Sequence, residues 1–176
     1  NFDDDFFTDG LQEWLSTGKI SYDQSHVKSF ALSKIPLTDD KKGRAFARSL
    51  KERKVIMGVF DEGCMGMYNA IIPDELLHQT GFFKERLSQS GLYAAMLQVT
   101  DQEAEAVLQW LLKKGMQFKW GTNEETELTR LQTLAQCKMY IAAVRIADEF
   151  SCDTIGIQYQ QGLKDLTVAS DLVEGL

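Results

Sequence analysis

The chain has 176 residues, 44% of them hydrophobic and 26% charged, enough to enclose a core of ordinary globular size. Its formal net charge of −7, from 26 acidic against 19 basic residues, argues against a nucleic-acid partner, because a phosphate backbone is held by clustered cations. No apolar run approaches the roughly 20 residues that cross a bilayer, and no charged segment followed by an apolar one opens the chain, so it reads as neither membrane-bound nor secreted.

Cys64, Cys137 and Cys152 form no CxxC pair, and with only His26 and His78 beside them there is no closely spaced soft-ligand set for zinc. A reducing cytoplasm is the expected compartment. The start at Asn1, and a final run Asp171-Leu-Val-Glu-Gly-Leu176 without a stop signal after its apolar residues, read as a domain of a longer protein.

In chain order, the acidic run Asp3 to Asp5 precedes one short amphipathic helix around Asp9 to Thr17. Val27 to Ile35 alternates like a strand, and Pro36 with Thr38-Asp39-Asp40 makes a turn and an N-cap for a helix over Asp39 to Glu52. Lys54 to Phe60 is a short continuous apolar run bounded by charge, the pattern of a strand buried in a parallel sheet. Asp61-Glu-Gly-Cys-Met-Gly-Met67 follows at once, and Met67 to Gln79 reads as mostly helical despite Pro73.

Thr100-x-x-Glu103 is a capping box for a helix with Ala104, Val107, Leu108 and Leu111 on one stripe and Gly115 as terminator. Thr122-x-x-Glu125 predicts a second box, opening a helix of about 25 residues with Leu128, Leu131, Ala135, Met139, Ala142 and Ile146 on its stripe. Asp153 to Tyr159 is another short apolar strand, followed by Gln160-Gln161-Gly162. Helices alternating with buried strands predict an α/β fold: a three-layer α/β/α domain, Rossmann- or flavodoxin-like, on a parallel sheet of about four strands.

The residues that can carry chemistry gather behind two strands. The Gly63-Cys64-Met65-Gly66 loop reads as a tight structural turn or as a small-molecule contact through backbone amides; it is neither a phosphate loop nor a GxGxxG motif. Cys64 has no base near it in sequence and reads as an inert buried thiol before an activated one. Asp61 and Glu62 are neighbours that point apart, so a solvated pair or a loop cap outranks a paired acid and base. Gln158, Gln160 and Gln161 serve either loop capping or sugar hydroxyls, since each amide donates and accepts at once. Met139, Tyr140 and Trp110 read as core, and the mixed charges of Lys41-Lys42 and Lys51 to Lys54 as solvated surface.

From about Lys54 onward, the order of these features resembles the middle domain of the L-fucose/L-arabinose isomerase family: the buried strand, Gly-Cys-Met-Gly-Met, Val99-Thr-Asp-Gln-Glu-Ala-Glu-Ala106, Phe118-Lys-Trp-Gly121, the long helix, and the strand ending Tyr159-Gln160. The resemblance implies a lead-in from a preceding domain over residues 1–50 and an α/β middle domain over 51–176. It implies aldose–ketose interconversion through an enediol in the full-length protein, assisted by manganese.

Carried over position by position, Met65 and Gln160 line the sugar pocket, with no catalytic residue and no metal ligand in this chain; the metal-binding carboxylates and histidine lie further along the parent. No cofactor is expected in these residues themselves. The family's aromatic and basic residues after the glutamine are replaced here by Gln161-Gly162-Leu163-Lys164. The expected partners are a small sugar, other domains of the parent and further copies in a homo-oligomer. Two other readings stay open: a non-catalytic binding module of flavodoxin-like shape, and a domain that holds an oligomer together.

Overall fold

In the computed structural model, residues 4–21, 23–29, 35–63, 71–158 and 162–176 are described. The chain divides into two compact units, Asn1–Gly43 and Arg44–Leu176. The first contains α1 (Asp5–Thr17), which begins earlier than the sequence pattern indicates because the Asp4 carboxylate accepts the Phe6 N–H at 3.0 Å, and which ends at Gly18 with φ +70°. None of its described residues is buried. Helix α2 spans Leu37–Arg53, close to the expected range, with Asp39 and Asp40 in its first turn and Lys51 and Arg53 in its last.

The second unit is built on a three-stranded parallel sheet: β1 (Val55–Phe60) lies between β2 (Phe82–Leu87) and β3 (Thr154–Ile157). Among the described residues the sheet therefore has three strands where about four were expected. Residues 27–29 of the expected Val27–Ile35 strand are irregular, and 30–34 lie outside the described residues. β2 is the strand that the sequence reading passed over. Lys84, Glu85 and Arg86 interrupt its apolar run, and an edge strand tolerates such charges because one side of it faces no neighbour.

Strand register sorts the side chains. Ile56, Gly58 and Phe60 of β1 share a face with Phe83, Glu85 and Leu87 of β2 and with Ile155 and Ile157 of β3. That face meets α4 (Gln89–Gln98), α6 (Arg130–Glu149) and α7 (Asp171–Glu174) in the main core, where Phe60, Leu92, Met139, Ala142 and Leu163 are closed off from water. Burying each of the larger of these side chains contributes about 1.5–3 kcal/mol. A second cluster joins Ala104, Leu108 and Leu111 of α5 (Asp101–Lys113) to Cys137 of α6. Burial, and then the charge of Glu105, pushes the Cys137 thiol up to about 11.

The Thr100–Glu103 box opens α5 as expected. The second box is displaced. Thr122 lies in a turn closed by Glu127, whose carboxylate accepts the Thr122 and Asn123 N–H groups at 2.9 and 3.1 Å, and the box that opens α6 is Thr129–Gln132. The helix is consequently 20 residues long, and Leu128 and Leu131 stand exposed. Trp110 lies at the surface beneath Lys114 and is not a core residue. Of the expected Met67–Gln79 helix, residues 67–70 lie outside the described residues, 71–73 are not helical, and α3 spans Asp74–His78, starting directly after Pro73, whose ring disfavours helix in the residue before it. Among the described residues no helix is long and apolar enough to cross a membrane.

Candidate functional site

All three strands run in one direction, so their carboxyl ends share one edge, and open α/β sheets bind ligands at such an edge. β1 leads into Asp61-Glu62-Gly63, β2 into Ser88 and Gln89, and β3 into Gln158. A cleft of about 440 Å³ opens there, lined by Val59, Asp61, Gly63, Gln158, Asp171 and Glu174 among others.

Gln158 is turned onto the chain instead of toward solvent. Its Oε1 accepts the Gly63 N–H at 2.6 Å and its Nε2 donates to the Gly63 carbonyl at 2.8 Å. The side-chain amide thus meets the Gly63 backbone as a second strand would, tying the loop after β1 to the end of β3. Of the two readings open for this glutamine, loop fastening is the one its contacts carry.

Gln89, at the first turn of α4, carries no motif and went unnoticed in the sequence; the nearest signal was Ser88, which caps α4 through Gly91. Its side chain is buried and fully engaged. Nε2 donates to the carbonyls of Phe60, at 3.3 Å, and of Gln158, while Oε1 accepts the N–H groups of Gly162 and Leu163 at 3.1 and 3.2 Å. One amide therefore touches the end of β1, the end of β3 and the chain re-entering after residues 159–161.

Asp61 takes the loop-cap role. It accepts the Gln89 N–H at 3.3 Å, and its own N–H donates to the Leu87 carbonyl at 2.9 Å. Those contacts hold a non-glycine residue at φ +56°, a conformation that costs of order 1 kcal/mol. Glu62 is not merely solvated: Lys84 Nζ and Arg86 Nη2 both pair with its carboxylate.

Lys84 and Arg86 project from the sheet face opposite the main core, the face they share with Met57 and Val59. The Lys84 side chain, 5% exposed, also donates to the Ile72 carbonyl at 2.9 Å and pairs with Asp74 at 2.9 Å. It thereby fastens chain on both sides of residues 64–70. Burial opposes the charge on Lys84, but the Glu62 and Asp74 carboxylates outweigh it and hold its ammonium above the ordinary range. The hydrogen bonds from Lys84 and then Arg86 hold the Asp74 carboxyl below its own. Alternating charges at Lys84 and Arg86 were the available sign of a strand with one polar face.

At the far edge of β3, Glu174 of α7 accepts the Ile157 N–H at 2.9 Å, covering a donor that an edge strand otherwise exposes. Met65, Gln160, Cys64 and Gln161 lie outside the described residues. Among the described residues, no three His, Cys, Asp or Glu side chains gather to hold a metal ion.

No family model matches the chain, and no curated protein matches its sequence.

Proposed function

We propose that this chain forms part of the sugar pocket of an aldose–ketose isomerase of the L-fucose/L-arabinose isomerase kind, with Met65 and Gln160 as its substrate contacts. The observation that carries the reading is the pair between Gln158 and Gly63. Met65 follows Gly63 by two residues and Gln160 follows Gln158 by two, so the segments leading to both are joined at the carboxyl edge of the parallel sheet. A polyhydroxylated ligand suits this edge, where the Asp61, Asp171 and Glu174 carboxylates line one small cleft and can accept from hydroxyl groups.

In aldose–ketose interconversion a proton leaves the hydroxyl-bearing carbon beside the carbonyl and is returned to the former carbonyl carbon, while a hydroxyl proton moves between the two oxygens. The part assigned to this chain is binding and orienting the sugar. Manganese and its ligands, which the family resemblance implies for the full-length protein, are assigned by that resemblance to other parts of the parent; among the described residues, no three His, Cys, Asp or Glu side chains gather. The same reading makes the sheet the centre of a three-layer unit in a cytoplasmic homo-oligomer.

The test is ketose formation by the full-length parent from a panel of aldoses, with and without manganese, beside Met65→Ala and Gln160→Ala. Manganese-dependent turnover weakened by both changes is the expected result. No turnover on any aldose, with folded protein and metal supplied, would replace this reading with a non-catalytic binding module.

A further inference from the structure

We infer that the groove between α4, α5 and α6 is the contact surface of a two-fold dimer of this chain, in which the acidic side of one copy lies over the basic side of the other. The isomerase reading contributes only the expectation that copies associate; the surface follows from the residues of the groove.

The groove has a volume of about 670 Å³. It is lined by the buried Met96 and the half-buried Leu134 and Ala135, and by Leu97 and Leu131, which are 62% and 68% exposed. Two exposed leucines beside an apolar recess favour a partner that covers them.

The charges of the groove are sorted by helix. The acids Asp101 and Glu105 stand on α5, and the cations Arg130 and Lys138 on α6. Asp101 pairs with Lys138 at 2.6 Å and Glu105 with Arg130, so each acid faces its cation across the groove. A two-fold axis along the groove turns one copy over onto the other, exchanging the sides and keeping position along the groove. Asp101 then meets the second copy's Lys138, Glu105 meets its Arg130, and Leu131 comes over the side that carries Leu97. An axis across the groove would set acid on acid, so the charges select one arrangement. The pairs within each copy do not prevent this, because exposed ion pairs are worth little and a carboxylate accepts from two cations at once.

Elsewhere self-contact is opposed. The net charge of −7 repels copies from one another. Helix α1 also presents apolar residues, with Leu11 and Trp14 39% and 51% exposed, but Asp5, Asp9 and Glu13 accompany them and that helix has no cation. At the groove two acids and two cations cancel. A partner of one sign would be attracted to one side and repelled by the other, whereas a second copy carries both.

The experiment is sedimentation equilibrium of the 176-residue chain over about 1–200 µM at low salt, where monomer and dimer should coexist in a concentration-dependent balance. Leu131→Glu lies in the first turn of α6, where an acid suits the helix N-terminus, so it should keep the fold and weaken the dimer at least about tenfold. Asp101→Lys leaves one copy with two cations at that pair, and Lys138→Glu leaves another with two acids. Each alone should dimerise at least about tenfold more weakly, and an equimolar mixture should recover the dimer, because each supplies the sign that the other lacks. A role confined to holding α5 on α6 within one copy would give no recovery on mixing.

A chain that stays monomeric throughout the range overturns the proposal, as does a dimer equally tight in Leu131→Glu. A mixture no tighter than its components overturns the arrangement across the two-fold axis. Should a charge variant not fold by circular dichroism, Leu131→Glu decides alone. Mass is read and not turnover, so an inactive parent overturns the isomerase reading without touching this surface, and loss of the dimer leaves that reading standing.

Discussion

Gln158 and Gly63, 95 residues apart in the chain, hold each other by two reciprocal hydrogen bonds, the amide of one against the backbone of the other. Replacing Gln158 by Leu keeps the volume and removes both bonds. Gly63 is half-buried, so water can recover part of the loss, and unfolding in urea should show a destabilisation of about 1–2 kcal/mol. Exchange at the Gly63 amide should accelerate well beyond that in α5; uniform acceleration across the unit would mean that Gln158 supports the fold at large and not this loop.

Lys84, half-buried on its strand, joins Glu62, Ile72 and Asp74. Lys84→Met should destabilise by about 1–3 kcal/mol, less than the loss of a fully buried pair, because Arg86 remains and both carboxylates keep contact with water. The sign of the pH dependence follows from the shifts. The raised Lys84 contributes stability that is complete below its unfolded value of about 10.4 and lost as pH rises through the folded one; the lowered Asp74 contributes above about 3.9 and fails as pH falls. Chemical unfolding between those limits should show a plateau whose alkaline shoulder disappears in the variant, and an unchanged shoulder would exclude Lys84 as its origin.

Acid sensitivity should trace in part to Glu103. The Thr100 N–H and hydroxyl, and then Arg145, lower its carboxyl from 4.5 to about 2. A carboxyl depressed by folding stabilises above its unfolded value, and that contribution drains away as pH falls from 4.5 toward about 2. Glu103→Gln keeps an acceptor for the Thr100 groups and abolishes the titration. Its urea midpoint should therefore vary less across this window than that of the unsubstituted chain; curves that run parallel would count against the assignment.

Gly81 sits at φ +94°, where a Cβ would lie 2.5 Å from the Leu50 carbonyl oxygen. That obstacle is backbone and cannot rotate away, so Gly81→Ala should cost about 2–4 kcal/mol. Gly43, inside α2 with nothing within 4 Å of its would-be Cβ, provides the contrast: Gly43→Ala should be neutral or stabilising by up to about 1 kcal/mol. Thermal melts of the two variants should diverge in opposite directions, and equal melts would remove the steric argument.

Local signals carried much of the fold. The apolar run Val55–Phe60 and the Thr100–Glu103 box can be read without any knowledge of the rest of the chain, because burial in a parallel strand and capping of a helix each draw on a few consecutive residues. The displaced box at α6 marks the limit of such signals. Thr122-x-x-Glu125 and Thr129-x-x-Gln132 satisfy the same local rule, and the choice between them rests on Glu127 closing the turn and on Trp120 donating to Thr133 at 3.0 Å.

By itself, then, the sequence determined an acidic α/β chain with polar residues gathered after β1 and β3, since composition and periodicity are sums over neighbouring positions. Only the tertiary structure decided that Phe82–Leu87 is a strand, that Gln158 faces Gly63, and that Gln89 and Lys84 are spent on loop stems. Each of those outcomes depends on partners 12 to 95 residues distant, brought within hydrogen-bond reach by sheet pairing, and no pattern among adjacent residues encodes that meeting.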